Sequence, residues 1–349
     1  MDSLTQIILG AAVGEAAVGK RFGNKALLWG AIGGTIPDLD VFLQSFFHPV
    51  DAMLVHRGFS HSLLFALLFS PVFAWLCFRL YKRKFEFNDW WNLFFLSIVT
   101  HPMLDMFTNY GTQFLWPFDY RITFNTVFVI DPLYTLPFGL CVLVVLVLKK
   151  QSELRRHINN FGLIFSTLYL VWGVGVKLFV LSESEKYFEE AGIKSGRTMV
   201  TPMPLTSFYW MLLTEKDNQY YLLSKSIFAP LDTNSLQQFP KNVQEMNALK
   251  WQGVNYSPKL RSISNDYFLL KKEGENWLFS DLRFGTAYEM TKRQSTDPVM
   301  GFRLITENNK IVRVERHRMG RAWQRIEFGA YWDFVFGRKK LSTPIQKNL

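Results

Sequence analysis

The chain has 349 residues, 39 Lys and Arg against 29 Asp and Glu, a formal charge of +10, and is 49% hydrophobic and 16% aromatic. That apolar content excludes a disordered polyelectrolyte. The two cysteines, Cys77 and Cys141, lie far apart in apolar runs without a C-x-x-C pair, which excludes a zinc ribbon or a redox motif. Mean hydropathy is near zero, but the average hides two unlike parts. Residues 1–181 are dominated by long apolar runs, whereas 182–349 read as polar globular sequence.

A membrane-crossing helix needs about 20 apolar residues, and the first part offers five or six such segments. The first, about 4–19, is short, rich in Gly and Ala, and carries Glu15. Asp2 stands at its start in place of a basic region, so no cleavable signal peptide is expected. The second, about 26–46, contains Asp38 and Asp40. Gly10, Gly14, Gly30, Gly33 and Gly34 allow close contact between these two segments. The remaining segments are about 62–80, 89–107, 126–148 and 161–181.

Basic clusters follow the first, third and fifth segments: Lys20, Arg21 and Lys25; Arg79, Lys82, Arg83 and Lys84; Lys149, Lys150, Arg155 and Arg156. With six crossings they share one side, which the positive-inside rule assigns to the cytoplasm. The loops 47–61 and 108–125 and the whole C-terminal part then fall on the periplasmic side. Asp38, Asp40, His56, His61, His101, Asp105 and Asp131 converge on that outer leaflet, although they were chosen by residue type alone.

Beyond Leu181 the hydrophobic period changes. Segments 207–223, 266–284 and 301–316 read as hairpins around Lys216-Asp217-Asn218-Gln219, Lys272-Glu273-Gly274-Glu275-Asn276 and Glu307-Asn308-Asn309. A helical lead-in is expected at 183–192 and an aromatic helix at 321–336. The expected architecture is a membrane α-helical bundle of five or six transmembrane helices over 1–181, followed by a soluble antiparallel β-rich α+β domain over 182–349. The basic excess from Lys310 to Lys340 reads as a solvated face, with a phosphate or lipid-headgroup surface as the alternative. No nucleic-acid-binding motif is present, so no nucleic-acid partner is expected.

The chemistry gathers between Pro37 and Asp105. Imidazoles and carboxylates are ligands for divalent metals, and ionisable groups in membrane segments are expensive enough to be presumed functional. His101 and Asp105 stand one helical turn apart on one face. His56 and His61 share no helical face, but a turn at Gly58 can aim both inward. The structural alternative for this stretch is a polar loop whose Ser60 or Ser62 caps the next helix. Pro37-Asp38-Leu39-Asp40 places two acids beside a helix-breaking proline; the bland reading is that they end the segment at the water boundary. Gly58-Phe59-Ser60-His61-Ser62 lacks the final glycine of a nucleophile elbow and follows no strand, which argues against a serine hydrolase. His48 has no ligand type at suggestive spacing, and His157 and His317 lie in basic, polar contexts and read as surface histidines.

These residues resemble the YdjM-like family of bacterial inner-membrane proteins, described as metal-dependent hydrolases. The likeness covers roughly 1–150 and rests on Met1-Asp2-Ser3-Leu4-Thr5, Gly30 to Asp40, the H-R-G-x-S-H-S block at 56–62, His101-Pro102-Met103-Leu104-Asp105, Tyr110 to Phe118, and Asp131-Pro132. It departs at Gln6, where relatives often carry histidine. The order of Asp, His and H-x-x-x-D is also similar, more distantly, to the zinc-dependent phospholipase C and P1-nuclease group, which implies phosphoester hydrolysis.

The expected protein is an inner-membrane metalloenzyme using zinc, with manganese as the alternative. Asp38, His56, His61, His101 and Asp105 are the expected ligands, Asp40 the base or a further ligand, and Arg57 a stabiliser of developing negative charge. Membrane lipid or another small amphiphilic ester is the expected substrate class. The rivals are an ion or proton transporter, whose ionisable groups would be spread across the bilayer, and a non-catalytic scaffold or regulator with a structural metal.

Overall fold

A computed structural model describes residues 1–193, 196–285, 300–318 and 328–339. The chain divides into two compact units, one of Met1–Phe46, Leu54–Val174 and Pro204–Thr206, the other of Phe47–Met53, Gly175–Met203 and Ser207–Leu349.

The first unit is helical. Helix α1 (Ser3–Phe22) starts where the Asp2 carboxylate accepts the Thr5 amide at 3.1 Å, and it ends at Gly23, whose φ of 60° breaks the helical path. Helix α2 (Asn24–Thr35) turns straight back along α1. The pair closes to backbone contact because Gly10 and Gly30 face each other: a Cβ on either would lie 2.3 Å from the other's carbonyl oxygen. Pro37 has no N–H for an α-helical bond, and beyond α2 the chain tightens into a 3-10 helix, Ile36–Phe46. Helix α3 (Pro49–Val55) follows. A short 3-10 turn (Phe59–His61) then leads to α4 (Leu63–Leu80), with Ser62 as N-cap accepting the Phe65 amide at 3.0 Å.

Helix α5 (Phe87–Asp105) packs against α1, α2 and α4, its Trp90, Phe94 and Ile98 filling a core with Phe22, Ala26 and Ala74. Helix α6 (Pro132–Val147) begins later than the apolar run at 126 suggests. Asp131 caps it through the Leu133 amide at 3.0 Å, and Pro132 occupies the first turn. Helix α7 (Glu153–Glu190) is 38 residues long, about 57 Å at the usual rise. The lead-in expected at 183–192 is therefore the end of this helix. Among the described residues, three helices are long and apolar enough to cross a membrane, Asn24–Phe46, Leu63–Leu80 and Glu153–Glu190, with Pro132–Val147 a shorter apolar helix.

The second unit holds two antiparallel four-stranded meanders. One comprises β1 (Thr198–Pro202), β2 (Tyr209–Lys216), β3 (Gln219–Ser226) and β4 (Gln237–Pro240). Helices α8 (Val243–Ala248) and α9 (Ser257–Ile263) lead to the other, made of β5 (Phe268–Glu273), β6 (Asn276–Asp281), β7 (Met300–Glu307) and β8 (Lys310–Arg318). The three expected hairpins are β2–β3, β5–β6 and β7–β8. Strands β1 and β4 are additional: each has only four or five residues, too few for a periodic signal.

Alternation explains why β2 is buried on both faces. Tyr209, Met211 and Leu213 join Tyr267, Leu269 and Tyr331, while Trp210 and Leu212 join Val180 and Phe188 of α7. Phe47–Met53 belongs to this unit because Val50 is wholly buried among Met246, Leu260, Phe268, Phe279 and Phe302, and Asp51 pairs with Lys259 at 2.5 Å. Asp40 and His56 flank that segment in sequence. Helix α10 (Phe328–Val335) forms the described part of the expected aromatic helix; 321–327 lie outside the described residues.

The glycine contact makes a direct prediction. Gly30→Val drives a branched side chain into the Gly10 carbonyl, and overpacking of this kind costs about 1–3 kcal/mol. The variant is expected to melt measurably earlier in detergent, whereas an equivalent change at the open position Gly175 leaves Tm unchanged.

Candidate metal centre

Four chain segments of the first unit bring the acidic and imidazole groups together. Asp38 comes from the 3-10 helix after α2, and His61 from the turn before α4. His101 and Asp105 come from the last turns of α5, with α1 beside them supplying Gln6. The spacing of four inward atoms is narrow. His61 Nε2 and His101 Nε2 are 3.2 Å apart, and Asp38 Oδ1 lies 3.3 Å from the first and 3.4 Å from the second. Asp105 Oδ2 lies 3.7 Å from His61 Nε2 and 3.8 Å from His101 Nε2. A tetrahedral ion with bonds of about 2.0–2.1 Å separates its ligands by about 3.3–3.4 Å. The three edges among Asp38, His61 and His101, 3.2–3.4 Å, match that figure, whereas Asp105 Oδ2 lies farther out, 3.7 and 3.8 Å from the two imidazole nitrogens.

The donor set passes a further test. Asp105 Oδ2 is buried, accepts no well-aligned hydrogen bond and is ion-paired with Arg57 Nε at 3.2 Å. A buried carboxylate oxygen without a hydrogen bond has lone-pair capacity left for a cation. Burial also pushes the His61 imidazole down to about 4, against the opposing pull of Asp38. A neutral ring is the form that ligates.

Surrounding groups orient the four. His101 Nδ1 lies 2.5 Å from the Gly34 carbonyl oxygen, which fixes the ring and aims Nε2 inward. Asp105 Oδ1 accepts from Gln6 Nε2 at 3.0 Å and meets the Met1 amino group. Gln6, at the departure from the family pattern, thus sits directly behind a cluster carboxylate. His61 Nδ1 lies 3.0 Å from Ser60 Oγ, which donates to Asp40 Oδ2 at 2.7 Å.

His56 is placed differently from the other histidines. Its Nδ1 lies 2.7 Å from Asp40 Oδ1, and it stays part-exposed, outside the four-atom cluster. Asp40 likewise faces His56, Ser60 and the Arg57 amide (3.3 Å), one layer out from the cluster. The turn that achieves this passes through Arg57 at φ 62°, a left-handed conformation that a non-glycine residue adopts at an energetic cost. The Arg57 side chain turns inward, donates to Thr108 Oγ1 at 2.9 Å and lies 4.9 Å from the Tyr110 ring. Asp131 stays apart, capping α6 and accepting from Tyr169 at 2.9 Å. Ser60 and Thr108 are positioning groups that residue type alone did not single out. The one signal for Ser60 was its place between His56 and His61.

The model of the YdjM inner membrane protein family matches residues 1–179. YfhP of Bacillus subtilis (strain 168) is 30% identical over 125 residues, covering 34% of this chain and 38% of the relative. Inner membrane protein YbcI of Escherichia coli (strain K12) is 30% identical over 115 residues, covering 32% of this chain and 62% of the relative. The chain therefore spans less than two thirds of either relative. No solved structure matches.

Glu15, the acid outside the cluster, has its own partner. Arg155 of α7 reaches both its oxygens, Nε at 2.7 Å and Nη2 at 2.6 Å, and also donates to Asn24 Oδ1 and the Leu148 carbonyl, each at 2.7 Å. A bidentate, buried pair of this kind ties α7 to α1 and leaves Glu15 no free oxygen for carrying protons. Glu15→Ala is expected to cost about 3–5 kcal/mol by stranding the Arg155 charge, and Glu15→Met with Arg155→Leu to recover most of it. Thermal melting of the three proteins in one detergent checks both.

Proposed function

The chain belongs to the YdjM inner membrane protein family, and on that premise we propose that it is a membrane-embedded metal-dependent hydrolase. Asp38, His61, His101 and Asp105 would hold a divalent ion, zinc or manganese. Such an ion supplies Lewis acidity and acidifies water at neutral pH. The observation that carries this reading is the spacing of the Asp38, His61 and His101 ligand atoms, 3.2–3.4 Å from one another, with the Asp105 carboxylate 3.7–3.8 Å from both imidazoles.

The chain's own residues divide the remaining work. Asp40 holds the His56 ring by Nδ1, which leaves Nε2 of a part-exposed imidazole free to take up or deliver a proton. Ser60 ties the same carboxylate to His61, so the proton-transferring pair and the ligand set move as one body. Arg57 places a buried positive charge beside Asp105, where it offsets negative charge developing in the reaction. The substrate class is a phosphoester or lipid-like ester. Support comes from the 3-10 helix carrying Asp38, whose Phe42 and Phe46 are 71% and 83% exposed, a surface suited to acyl chains.

The same proposal includes the membrane topology. Helices α1, α2 with its 3-10 extension, α4, α5, α6 and α7 cross in turn, with the three basic clusters in the cytoplasm. The site then lies at the outer interface and the β-rich domain in the periplasm. Nucleic acid has no place in this arrangement. A transporter would need ionisable groups along a path, and Glu15, the candidate for such a group, is locked to Arg155.

Metal content of detergent-purified protein, prepared without chelators and measured by mass spectrometry, tests the reading. Near-stoichiometric zinc or manganese is expected in the wild type and its loss in a folded His101→Ala/Asp105→Ala variant; a metal-free wild type would overturn the proposal. Asp40→Asn is expected to keep the stoichiometry but to weaken affinity about 10–100-fold. Competition with a graded chelator series measures that shift without reference to any activity.

A further inference from the structure

The second unit carries an aromatic surface in which Phe228 and Phe336 are exposed while Trp332 packs against its core. Phe228, in the turn after β3, is 54% exposed and packs in a tilted arrangement against Phe336, itself 40% exposed, at 5.8 Å between ring centroids. Phe336 stacks on Trp332 of α10 at 5.7 Å, and the Arg338 guanidinium lies 5.2 Å from the Phe336 ring.

Beneath this surface a buried lysine reaches toward α7. Lys225 of β3 donates to the Ala229 carbonyl at 2.6 Å, next to Phe228, and pairs with Glu183 of α7 at 2.9 Å. Its ammonium also lies 5.9 Å from the ring of Phe179, which is 51% exposed on the same helix. Phe179 sits where the apolar part of α7 gives way to Ser182-Glu183-Ser184-Glu185, the level of the headgroups if the helix crosses the bilayer. Aromatic rings interleaved with basic groups are the composition that favours the membrane–water interface, and a contiguous exposed apolar patch calls for a partner.

We infer that the face formed by Phe228, Trp332, Phe336 and Arg338 rests in the headgroup region of the bilayer that α7 crosses, so that the β-rich domain is a membrane-resting body. The inference rests on the membrane-crossing reading of α7 and is independent of metal or catalysis. The occupant is lipid because contacts through the buried Lys225, to the Ala229 carbonyl and the exposed Phe179 ring, link the patch to the point where α7 leaves its apolar run. It also pairs rings with a cation, as a headgroup surface requires.

Spin labels on the full-length protein in phospholipid nanodiscs test this. Phe228→Cys and Phe336→Cys would be made singly in a Cys77→Ala/Cys141→Ala background. Leu168→Cys, exposed on α7, serves as the lipid reference and Lys272→Cys as the water reference. The ratio of oxygen to nickel-chelate accessibility is expected to be severalfold higher at 228 and 336 than at 272, approaching that at 168. Nickel accessibility like that at 272 would overturn the inference. Protection from both reagents would also overturn it, since it would mean that a protein surface or a second copy covers the patch. A water-like ratio at 168 would instead remove the membrane-crossing premise, and the two failures are told apart by that one control.

Discussion

Backbone contact between α1 and α2 is the constraint on which the first unit depends. Two glycines opposite each other, Gly10 and Gly30, let the helices approach until a single Cβ would collide with a carbonyl oxygen. Helices this close leave a shallow common groove, and α5 lies along it, with Ser97 against Gly33. That lodging places His101 under the Gly34 carbonyl and Asp105 under Gln6. Widening the seam by one side chain would carry the Gly34 and Gln6 contacts away from α5 together.

The cluster built on this seam is costly as bare protein. Two imidazoles approach to 3.2 Å, and two carboxylates lie within 4 Å of both, in surroundings where His61, His101 and Asp105 are almost fully buried. Low dielectric strengthens every unmatched interaction there. The fold offsets part of this with Arg57 beside Asp105, and Thr108 and Tyr110 hold that guanidinium in turn. It commits a further layer, Asp40, Ser60 and His56, to ring orientation.

Much of this was legible before any coordinates. H-x-x-x-D at His101 and Asp105 requires only that the segment be helical, and a period of 3.6 residues puts both side chains on one face. A hydroxyl before an apolar run narrowed the N-cap of α4 to Ser60 or Ser62, and the structure takes Ser62. The three hairpins followed from polar turns between apolar strands. Strands β1 and β4 were not legible, being too short to establish a period. The extent of α7 was also hidden. Its apolar stretch ends near 181, but the helix continues because Val180 and Phe188 find a new hydrophobic partner in Trp210, Leu212 and Leu223.

The sequence by itself determined which groups were available: the histidines and acids, their clustering at the ends of apolar segments, and the helical or turning character of each stretch. Local backbone geometry decides those things, and it is written in neighbouring residues. Tertiary structure alone decided which of the groups meet. Asp38 and Asp40 are two residues apart, yet one faces His61 and His101 while the other faces His56 and Ser60. His56 and His61 divide in the same way, because the left-handed turn at Arg57 and the lie of α5 set the direction of each ring. Such directions depend on contacts between residues 16 to 63 positions apart, which no local pattern encodes.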